Sequence, residues 1–313
     1  MTESLSNTLP DTICYLNGDY TQLKDAKISV LDRGFIFGDG VYEVLPVYAG
    51  KLFRFSHHMA RLDRSLAELR ISNPLTTDQW QLIANKLIAA SANATGASST
   101  NHSEPNTEGA AQLPADQIIY IQVSRGVAPR DHIMPPGLKA TVFVMINPMK
   151  LPSKQAREQG VACVTADDFR WEKAHIKSTS LLGSVFSRQI SADVGAIETV
   201  MFRGDYLSEA AASNVWLVKN NKLVGHVKDN LVLEGIRYGL FEELCRTIDI
   251  GFELRPITRA EVLGADELLL SSATKEVLPI TLLDGKKVGS GLPGPVYAKL
   301  YAAYQQAKRE QAA

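Results

Sequence analysis

The chain has 313 residues, of which 45% are hydrophobic and 21% charged, and its formal net charge is −1. This length suits one large or two moderate domains, and the near-zero charge gives no electrostatic reason to expect nucleic acid or an anionic membrane as a partner. The three cysteines lie far apart and form no disulfide or metal-binding pattern. The polar N-terminus is unlike a signal peptide, and the longest apolar runs, such as 140–146, are too short to cross a bilayer. We therefore expect a cytoplasmic location.

Two spacings of apolar residues define the predicted elements of the first half. Alternation predicts strands, whereas Met59, Leu62 and Leu66 recur at helical spacing after Ser56, which suits an N-cap. In chain order, the predicted elements are a strand at 12–17 that turns at Gly18-Asp19, strands at 26–31 and 41–48, helices at 56–72 and 77–91, and strands at 117–124 and 140–147.

Residues 92–116 interrupt this pattern. They are rich in Ala, Ser, Thr, Asn and Gly, contain almost no large apolar side chain and show no periodicity. Such a composition buries too little apolar surface to order itself firmly. We predict a flexible surface insertion here.

A segment with two prolines and two lysines, 147–154, is typical of an interdomain linker. Beyond it strands and helices alternate, and Asn220-Asn221 predict a hairpin turn because asparagine tolerates positive φ. The elements predicted after the linker are a strand at 160–166, a helix at 179–195, a strand pair across 198–207, a hairpin at 214–227, a helix at 236–247, a strand at 251–256, a helix at 258–264, strands at 266–271 and 277–283, and a helix that starts near Pro295. The pattern indicates an α+β or α/β chain of two domains.

Two residues carry side chains suited to chemistry. Lys177 lies between Ile176 and a Ser/Thr run, before a helix with a strong apolar pattern. It is either an ordinary surface charge or a desolvated amine that can form a Schiff base with a carbonyl. Glu209 ends a short strand before small residues. It is either a solvent-facing turn carboxylate or an acid at the floor of a site that a flat ligand can approach.

Three further features suit an anion. Gly235 immediately precedes a predicted helix, whose first amides are donors at the positive end of the helix dipole. Ser271, Ser272 and Thr274 place hydroxyls and amides in a turn after a strand, and Arg61 lies off the apolar stripe of its helix. One ligand, pyridoxal 5′-phosphate, would explain these features together. Its aldehyde suits the lysine, its ring nitrogen suits the carboxylate, and its phosphate suits the donors.

Seven segments in order resemble the class IV (fold type IV) pyridoxal-phosphate aminotransferases, and within them the D-amino acid aminotransferases. They are DRGFIFGDGVYE (32–43), HMARL (58–62), SRGVAPRDH (124–132), IKSTSLLGS (176–184), LSEAAASN (207–214), LEGIR (233–237) and SSATKEVLP (271–279). The resemblance covers nearly the whole chain. It departs where Arg237 replaces a frequent hydroxyl residue and where Ala210, Ala211 and Ala212 replace serines.

The resemblance implies a two-domain α+β fold and a homodimer. The smaller α/β N-terminal domain would span 1–146, a linker 147–154, and a larger C-terminal domain with a β-barrel-like core 155–313. It also implies ping-pong transfer of an amino group from a D-amino acid such as D-alanine to a 2-oxo acid such as 2-oxoglutarate or pyruvate. No metal is expected.

The resemblance also implies residue roles. Lys177 would hold the cofactor as a Schiff base and shuttle the proton, Glu209 would pair with the pyridine nitrogen, and Leu233 would pack against the ring. The phosphate would be held by Arg61, Gly235, Ile236, Arg237, Ala273 and Thr274. The substrate α-carboxylate would be bound by Tyr42, Arg130 and His132, of which Arg130 and His132 would come from the partner subunit.

Four alternatives stay open at the level of sequence. Three of them share the same fold: a branched-chain L-amino acid aminotransferase, a 4-amino-4-deoxychorismate lyase and an (R)-amine transaminase. The Arg130-x-His132 arrangement disfavours the branched-chain enzymes, which lack it, and the amine transaminases, whose substrates have no carboxylate. The fourth is a non-catalytic binder of the cofactor, which would not need both Lys177 and Glu209.

Overall fold

A computed structural model describes residues 12–97 and 116–312 of the chain. The polypeptide divides into two compact units, Met1–Met149 and Lys150–Ala313. The linker predicted at 147–154 stays a prediction. Among the described residues, no helix combines the length and the apolar character needed to cross a bilayer.

The first unit is built on one antiparallel sheet. Its strands are β1 (Ile13–Leu16), β2 (Asp19–Gln22), β3 (Gly40–Tyr48), β4 (Lys51–Leu52), β5 (Gln117–Ser124) and β6 (Thr141–Pro148). They lie in the order β2-β1-β6-β5-β3-β4. The helices of the described part of this unit are α1 (Arg33–Phe37), α2 (Phe55–Glu68) and α3 (Thr77–Ala97), with a 3₁₀ turn at Leu23–Asp25.

One face of β3 packs beneath α2. Val41 and Leu45 are completely buried on this face, and Leu62 of α2 is buried with them. Because side chains alternate along a strand, Glu43 points to the same buried face as Val41 and Leu45, while Tyr42 points to the other. A carboxylate placed in an apolar layer requires charged or hydrogen-bonding partners.

The second unit is built on a larger mixed sheet. Its strands are β7 (Val161–Asp167), β8 (Glu198–Arg203), β9 (Tyr206–Ala210), β10 (Asn214–Lys219), β11 (Lys222–Gly225), β12 (Gly251–Leu254), β13 (Glu267–Ser272), β14 (Glu276–Leu283) and β15 (Lys286–Lys287). Their order is β12-β11-β10-β13-β14-β7-β8-β9, and β15 pairs with β14. The helices of the described part are α4 (Lys154–Gln159), α5 (Leu182–Asp193), α6 (Arg237–Thr247), α7 (Arg259–Leu263) and α8 (Pro295–Ala312).

The core of the second unit lies on one face of this sheet. Val200, Leu217, Leu268 and Leu270 come from three different strands and are almost completely buried together. The sheet curls into a half-barrel, and the mixed helix-and-sheet architecture confirms the expected fold class.

Four local predictions differ from the structure. Residues 26–31 are irregular rather than a strand, and Ile28, Val30 and Leu31 are exposed. Ser56 lies inside α2, whose cap position is Arg54 in the left-handed conformation. The sequence predicts no helix between 31 and 41, yet α1 forms there, since the Asp32 side chain accepts a bond from the amide of Gly34 and left-handed Gly38 ends the helix.

The fourth difference concerns the helix predicted at 77–91, which continues to Ala97 as α3. Alanine favours helix, so the first residues of the segment 92–116 extend the helix before it. The rest of the predicted insertion, 98–115, lies outside the described residues.

Candidate active site

Lys177 lies in the second unit, in an irregular segment between β7 and α5. It is half-buried, and its neighbours Ile176 and Ser178 are both 5% exposed. Two contacts fix the segment before it, because Asn230 donates to the carbonyl of Glu172 (2.8 Å) and the His175 ring lies 3.4 Å from the Asn230 carbonyl. The chain is therefore held in place just before Lys177, and the interpretation of this lysine as a fully exposed surface charge does not fit its burial.

Glu209, on β9, is a buried carboxylate with three donors. Arg170 Nη1 lies 2.8 Å from its Oε1, and Asn214 Nδ2 lies 3.0 Å from its Oε2. The backbone amide of Leu233 also donates to Oε2 (3.2 Å). Burial raises the pKa of Glu209 to about 7, although the ion pair with Arg170 opposes that rise. The reading as a solvent-facing turn carboxylate is excluded.

Arg170 is itself oriented by a second carboxylate. Its Nε and Nη2 each lie 2.9 Å from the two oxygens of Asp168, which the amide of Arg170 also contacts at 3.0 Å. Burial alone would raise the pKa of Asp168, but its bonds to Arg170 lower it overall, so Asp168 stays ionised. Asp168, Arg170 and Glu209 therefore form a buried chain of alternating charge.

Asn214 joins two parts of the backbone beside Glu209. Its Nδ2 also donates to the carbonyl of Leu233 (2.8 Å). A Cβ atom at Gly235 would overlap its Oδ1. The chain can pass so close to Asn214 only because position 235 is glycine. Glu209, Asn214, Leu233 and Gly235 are thus brought together.

The turn between β13 and β14 holds Ala273, Thr274 and Lys275. The amide of Lys275 donates to Ser272 Oγ (3.0 Å), and its Nζ donates to the fully buried Glu198 (3.0 Å). Both ends of the turn are therefore fixed, with Thr274 between them.

Arg237 links this turn to the start of α6. Its Nη2 donates to the Tyr304 hydroxyl (2.7 Å) and to the Ala273 carbonyl (3.4 Å). Ile236 occupies the cap position of α6 and Arg237 its first turn. The first amides of an α-helix have no acceptor within the helix, so the start of α6 and the Thr274 turn form one donor-rich region.

In the first unit, Arg130 and His132 lie close to the same aromatic ring. The Arg130 guanidinium is 5.6 Å from the centroid of Phe37, and the His132 ring is 5.4 Å from it. Both residues are exposed. Tyr42 stacks on Tyr120 of the neighbouring strand, with 5.8 Å between ring centroids.

The structure corrects the expectation that Arg61 lies away from the packed side of its helix. Arg61 is only 6% exposed, and its Nε and Nη2 lie 2.7 and 2.8 Å from the two oxygens of Glu43. His58 Nδ1 is 2.8 Å from the same carboxylate. A buried carboxylate on β3 attracts the arginine inward, and sequence spacing on α2 alone does not reveal it. A phosphate contact by Arg61 stays a prediction.

Sequence reasoning missed Asp168, Arg170 and Asn214. The Asp168-x-Arg170 spacing, two residues apart after a strand, is a local signal for an ion pair. Their link to Glu209, however, spans 39 positions of the chain. Within the described residues, no group of three or more His, Cys, Asp or Glu side chains could hold a metal ion.

Residues 40–283 match the family described as amino-transferase class IV. The chain belongs to this family, and it is therefore a pyridoxal-phosphate-dependent transferase of amino groups.

Two D-alanine aminotransferases are close relatives over most of their length. The one from Bacillus licheniformis is 33% identical over 289 residues, which cover 92% of this chain and 94% of that protein. The one from Listeria monocytogenes is 32% identical over 288 residues, which cover 91% and 92%.

Solved branched-chain amino acid aminotransferases share the fold. The Escherichia coli enzyme superposes with a TM-score of 0.79 at 22% identity, covering 95% of this chain and 94% of that one. The enzyme from Thermoproteus uzoniensis, solved with norvaline, gives 0.79 at 21% identity, covering 94% of each chain. Another branched-chain enzyme, solved with pyridoxamine 5′-phosphate, gives 0.83 at 19% identity, covering 97% and 96%. At these identities the likeness concerns the fold alone.

The residues of the second unit fit pyridoxal phosphate. Glu209 is an ionisable carboxylate fixed by three donors, and three small residues, Ala210, Ala211 and Ala212, follow it in the chain. The donor-rich region at α6 and Thr274 suits a phosphate, and Lys177 supplies an amine. The glycine at 235 lets the backbone approach the same place.

Proposed function

We propose that this chain transfers the amino group of a D-amino acid, such as D-alanine, to a 2-oxo acid, such as 2-oxoglutarate or pyruvate, by a ping-pong reaction. The observation that carries the proposal is the Glu209 carboxylate, buried and held by Arg170, Asn214 and the Leu233 amide. A carboxylate held in this way suits a ring nitrogen that must keep its proton. The D-alanine aminotransferases that match over nine-tenths of the chain support the substrate class.

The second unit would supply the groups that move and hold protons. Bound pyridoxal phosphate supplies an electron-accepting ring. The Nζ of Lys177 would attach the cofactor, take the proton from the substrate α-carbon once displaced, and return it to the cofactor C4′. Glu209 would hold the proton on the ring nitrogen. Leu233 would cover a face of the ring.

The phosphate would lie at the donor-rich region. Gly235 and the amides of Ile236 and Arg237 would face it from the start of α6, and Ala273 and Thr274 from the opposite turn. The Arg237 side chain, which bonds Tyr304 and Ala273, would fix these two parts against each other rather than contact the phosphate itself.

The substrate carboxylate would be bound by Tyr42, Arg130 and His132. Arg130 and His132, which both lie against Phe37, offer hydrogen-bond donors from an exposed position, and the guanidinium of Arg130 adds a positive charge. In the proposed homodimer they would serve the site of the partner subunit.

Exposed apolar residues support the homodimer. In the first unit, Val30 is 73% and Phe35 69% exposed. In the second unit, one face of α5 exposes Leu182, Val185 and Phe186 to 68, 59 and 58%. Apolar patches of this kind are typical of protein interfaces. A cytoplasmic location stays a prediction from the sequence.

Replacement of the amine tests the proposed chemistry. We expect Lys177→Ala to lower the rate of transfer from D-alanine by about 10³-fold or more, because no other residue is assigned to move the α-proton. Borohydride treatment followed by mass spectrometry should add the cofactor to the wild type and not to Lys177→Ala. The exposed Lys173 is the control, and Lys173→Ala should keep both properties. A normal rate in Lys177→Ala would contradict the assignment.

The amino donor is tested by half-reactions. The purified holoenzyme is mixed separately with D-alanine, L-leucine and (R)-1-phenylethylamine, and its absorption is followed to the pyridoxamine form. We expect the shift with D-alanine. A shift with L-leucine and none with D-alanine would replace the proposal with a branched-chain L-amino acid aminotransferase. A shift with the phenylethylamine alone would replace it with an amine transaminase.

A further inference from the structure

The segment that carries Arg130 and His132 has no secondary structure of its own. Residues 128–140 form neither helix nor strand, and most of their side chains are exposed, with Ile133 at 72%. A loop of this kind samples many conformations unless other parts of the chain hold it, and each conformation that moves the two side chains weakens a ligand contact.

Arg33 holds this loop between Arg130 and His132. The residue is 3% exposed, and its Nη1 donates to the carbonyl of Asp131, the residue between Arg130 and His132, at 2.6 Å. Its backbone amide donates to the carbonyl of Gly126 (2.9 Å), two residues before the same loop begins. One arginine therefore fixes both the entry of the loop and its centre.

The guanidinium of Arg33 is held in turn by a buried carboxylate. Its Nε lies 2.7 Å from Asp39 Oδ2, and Arg125 binds the same carboxylate through Nε (2.7 Å) and Nη2 (2.9 Å). Arg125 also donates to the Leu69 carbonyl at the end of α2 (2.7 Å). Burial opposes ionisation of Asp39, but the two arginines lower its pKa overall, so the charge persists at neutral pH.

Phe37 completes the arrangement. The Arg33 guanidinium lies 4.8 Å from the centroid of its ring, while Arg130 and His132 lie at 5.6 and 5.4 Å. Cations favour the faces of aromatic rings. The ring thus contacts the residue that anchors the loop and the two residues that the loop presents. We call Arg33, Phe37 and Asp39 the Arg33 clamp.

We propose that the Arg33 clamp is a specificity-determining device, in which Arg33 positions Arg130 and His132 to bind the carboxylate of the substrate. Arg33 is a positioning residue, since its side chain is buried and its Nε and Nη1 donate to Asp39 and to the Asp131 carbonyl. This inference rests on the proposed function. It adds that affinity for carboxylate-bearing substrates depends on a buried arginine that does not touch them.

The test is Arg33→Lys in the holoenzyme. A lysine keeps the positive charge beside Asp39, but its single ammonium cannot bond Asp39 and the Asp131 carbonyl as a planar guanidinium does. We expect KM for D-alanine to rise about tenfold, which corresponds to about 1.4 kcal/mol, with kcat changed by less than about threefold. The pyridoxamine form should react about tenfold more slowly with pyruvate, while its reaction with propanal, which has no carboxylate, stays close to that of the wild type.

A second measurement follows the loop without substrate. Amide hydrogen exchange of residues 130–134 should be faster in Arg33→Lys than in the wild type, with or without cofactor. Phe37→Leu leaves both side-chain bonds of Arg33 in place but removes the ring. It should give the same selective loss for pyruvate, which keeps the proposal testable if Arg33→Lys does not fold.

Thr141→Val is the matched control. It removes the 2.6 Å bond from Thr141 Oγ1 to Asp32, beside the clamp, and leaves the contacts to Asp131 intact. It should change neither the ratio of the pyruvate rate to the propanal rate nor amide hydrogen exchange at 130–134. An equal loss with pyruvate and propanal in Arg33→Lys, or unchanged loop exchange, would overturn the proposal. Failure of the proposed function would appear earlier, as a wild type that reacts with neither D-alanine nor pyruvate.

Discussion

Glu209 is a carboxylate whose surroundings shift its pKa in opposite directions. Burial favours the neutral acid, and the charge of Arg170 favours the anion; the balance leaves the pKa at about 7. Asp168 keeps Arg170 in place on its other side. A cationic ring nitrogen beside Glu209 would favour the anion further, so cofactor binding and ionisation of Glu209 should reinforce each other.

The pKa of Glu209 predicts a pH-dependent stability of the cofactor-free protein. The folded-state pKa of about 7 lies above that of an ordinary glutamate. The folded state therefore binds a proton that the unfolded chain releases, and this contribution is lost as pH rises through 7. Between about pH 5.5 and 8, the free energy of unfolding should fall with pH more steeply in the wild type than in Glu209→Gln, by up to about 1.4 kcal/mol per pH unit.

Urea unfolding of the cofactor-free wild type and of Glu209→Gln, each at about pH 5.5 and pH 8, measures how steeply the free energy of unfolding falls with pH. The comparison concerns slopes, since Glu209→Gln also weakens the bond to Arg170 and shifts the stability at every pH. Parallel slopes would contradict the raised pKa.

Single residues of the site differed in how well the sequence predicted them. Lys177 and Glu209 could be chosen because their residue types match the needs of one cofactor, and their local neighbours are small or apolar. Arg61 was misplaced because the carboxylate that attracts it, Glu43, lies 18 positions away on a strand. Asp168 and Arg170 were missed for the same reason, since Glu209, the carboxylate that Arg170 contacts, lies on β9, a later strand of the sheet.

At the scale of elements, turns were predicted best where one or two residues determine the backbone. Asn220 and Asn221 both have positive φ in the β10–β11 hairpin, as expected for a two-residue turn. The short helix α1 escaped prediction although Asp32 and Gly38 are good cap residues. The strand expected at 26–31 was wrong because its alternating apolar residues are exposed rather than buried against a sheet.

Gly126, just before the segment 128–140 that carries Arg130 (the Arg130 loop), and Gly137, inside that loop, make a matched pair of element-scale predictions. Gly126 has φ of +105°, and a Cβ there would overlap the carbonyl oxygen of Lys139; Gly137 has φ of +72° with open space around it. Gly126→Ala should therefore cost about 3 kcal/mol of unfolding free energy or more, from strain and overlap together. Gly137→Ala should cost only about 1–2 kcal/mol, from strain alone.

Chemical denaturation of both variants against the wild type provides the measurement. Equal losses would mean that the close approach of Gly126 to Lys139 does not matter for stability. A larger loss of unfolding free energy in Gly137→Ala than in Gly126→Ala would contradict the prediction.

At the scale of the whole molecule, the class of fold followed from the spacing of strand and helix patterns, but the order of the strands did not. β7 pairs in parallel with β8 on one side and with β14, more than 100 residues later, on the other. Such pairings depend on which edges meet in three dimensions, and short apolar runs do not encode a partner. The apolar pattern of α5 was visible in the sequence, yet Leu182, Val185 and Phe186 face outward.

The outward face of α5 predicts the assembly state. Leu182, Val185 and Phe186 lie on one side of the helix and are mostly exposed. We expect the wild type to have twice the 34.2 kDa mass of the chain in light scattering, and Phe186→Glu to shift it toward the monomer, because a buried unpaired carboxylate opposes association.

Leu292→Glu is the control, since Leu292 is also exposed (66%) but lies outside α5. It should leave the mass unchanged. A monomeric wild type, or a Phe186→Glu variant that keeps the wild-type mass, would contradict the prediction.

The three cysteines, Cys14, Cys163 and Cys245, are all free and buried. Burial raises the pKa of all three thiols, that of Cys245 to about 12, which disfavours the thiolate that reacts with maleimides or disulfide reagents. The three cysteines of the chain should therefore react little when an introduced cysteine is labelled. Ile133→Cys, at a 72% exposed position next to His132, would accept a single fluorophore or spin label and let the motion of the Arg130 loop be observed directly.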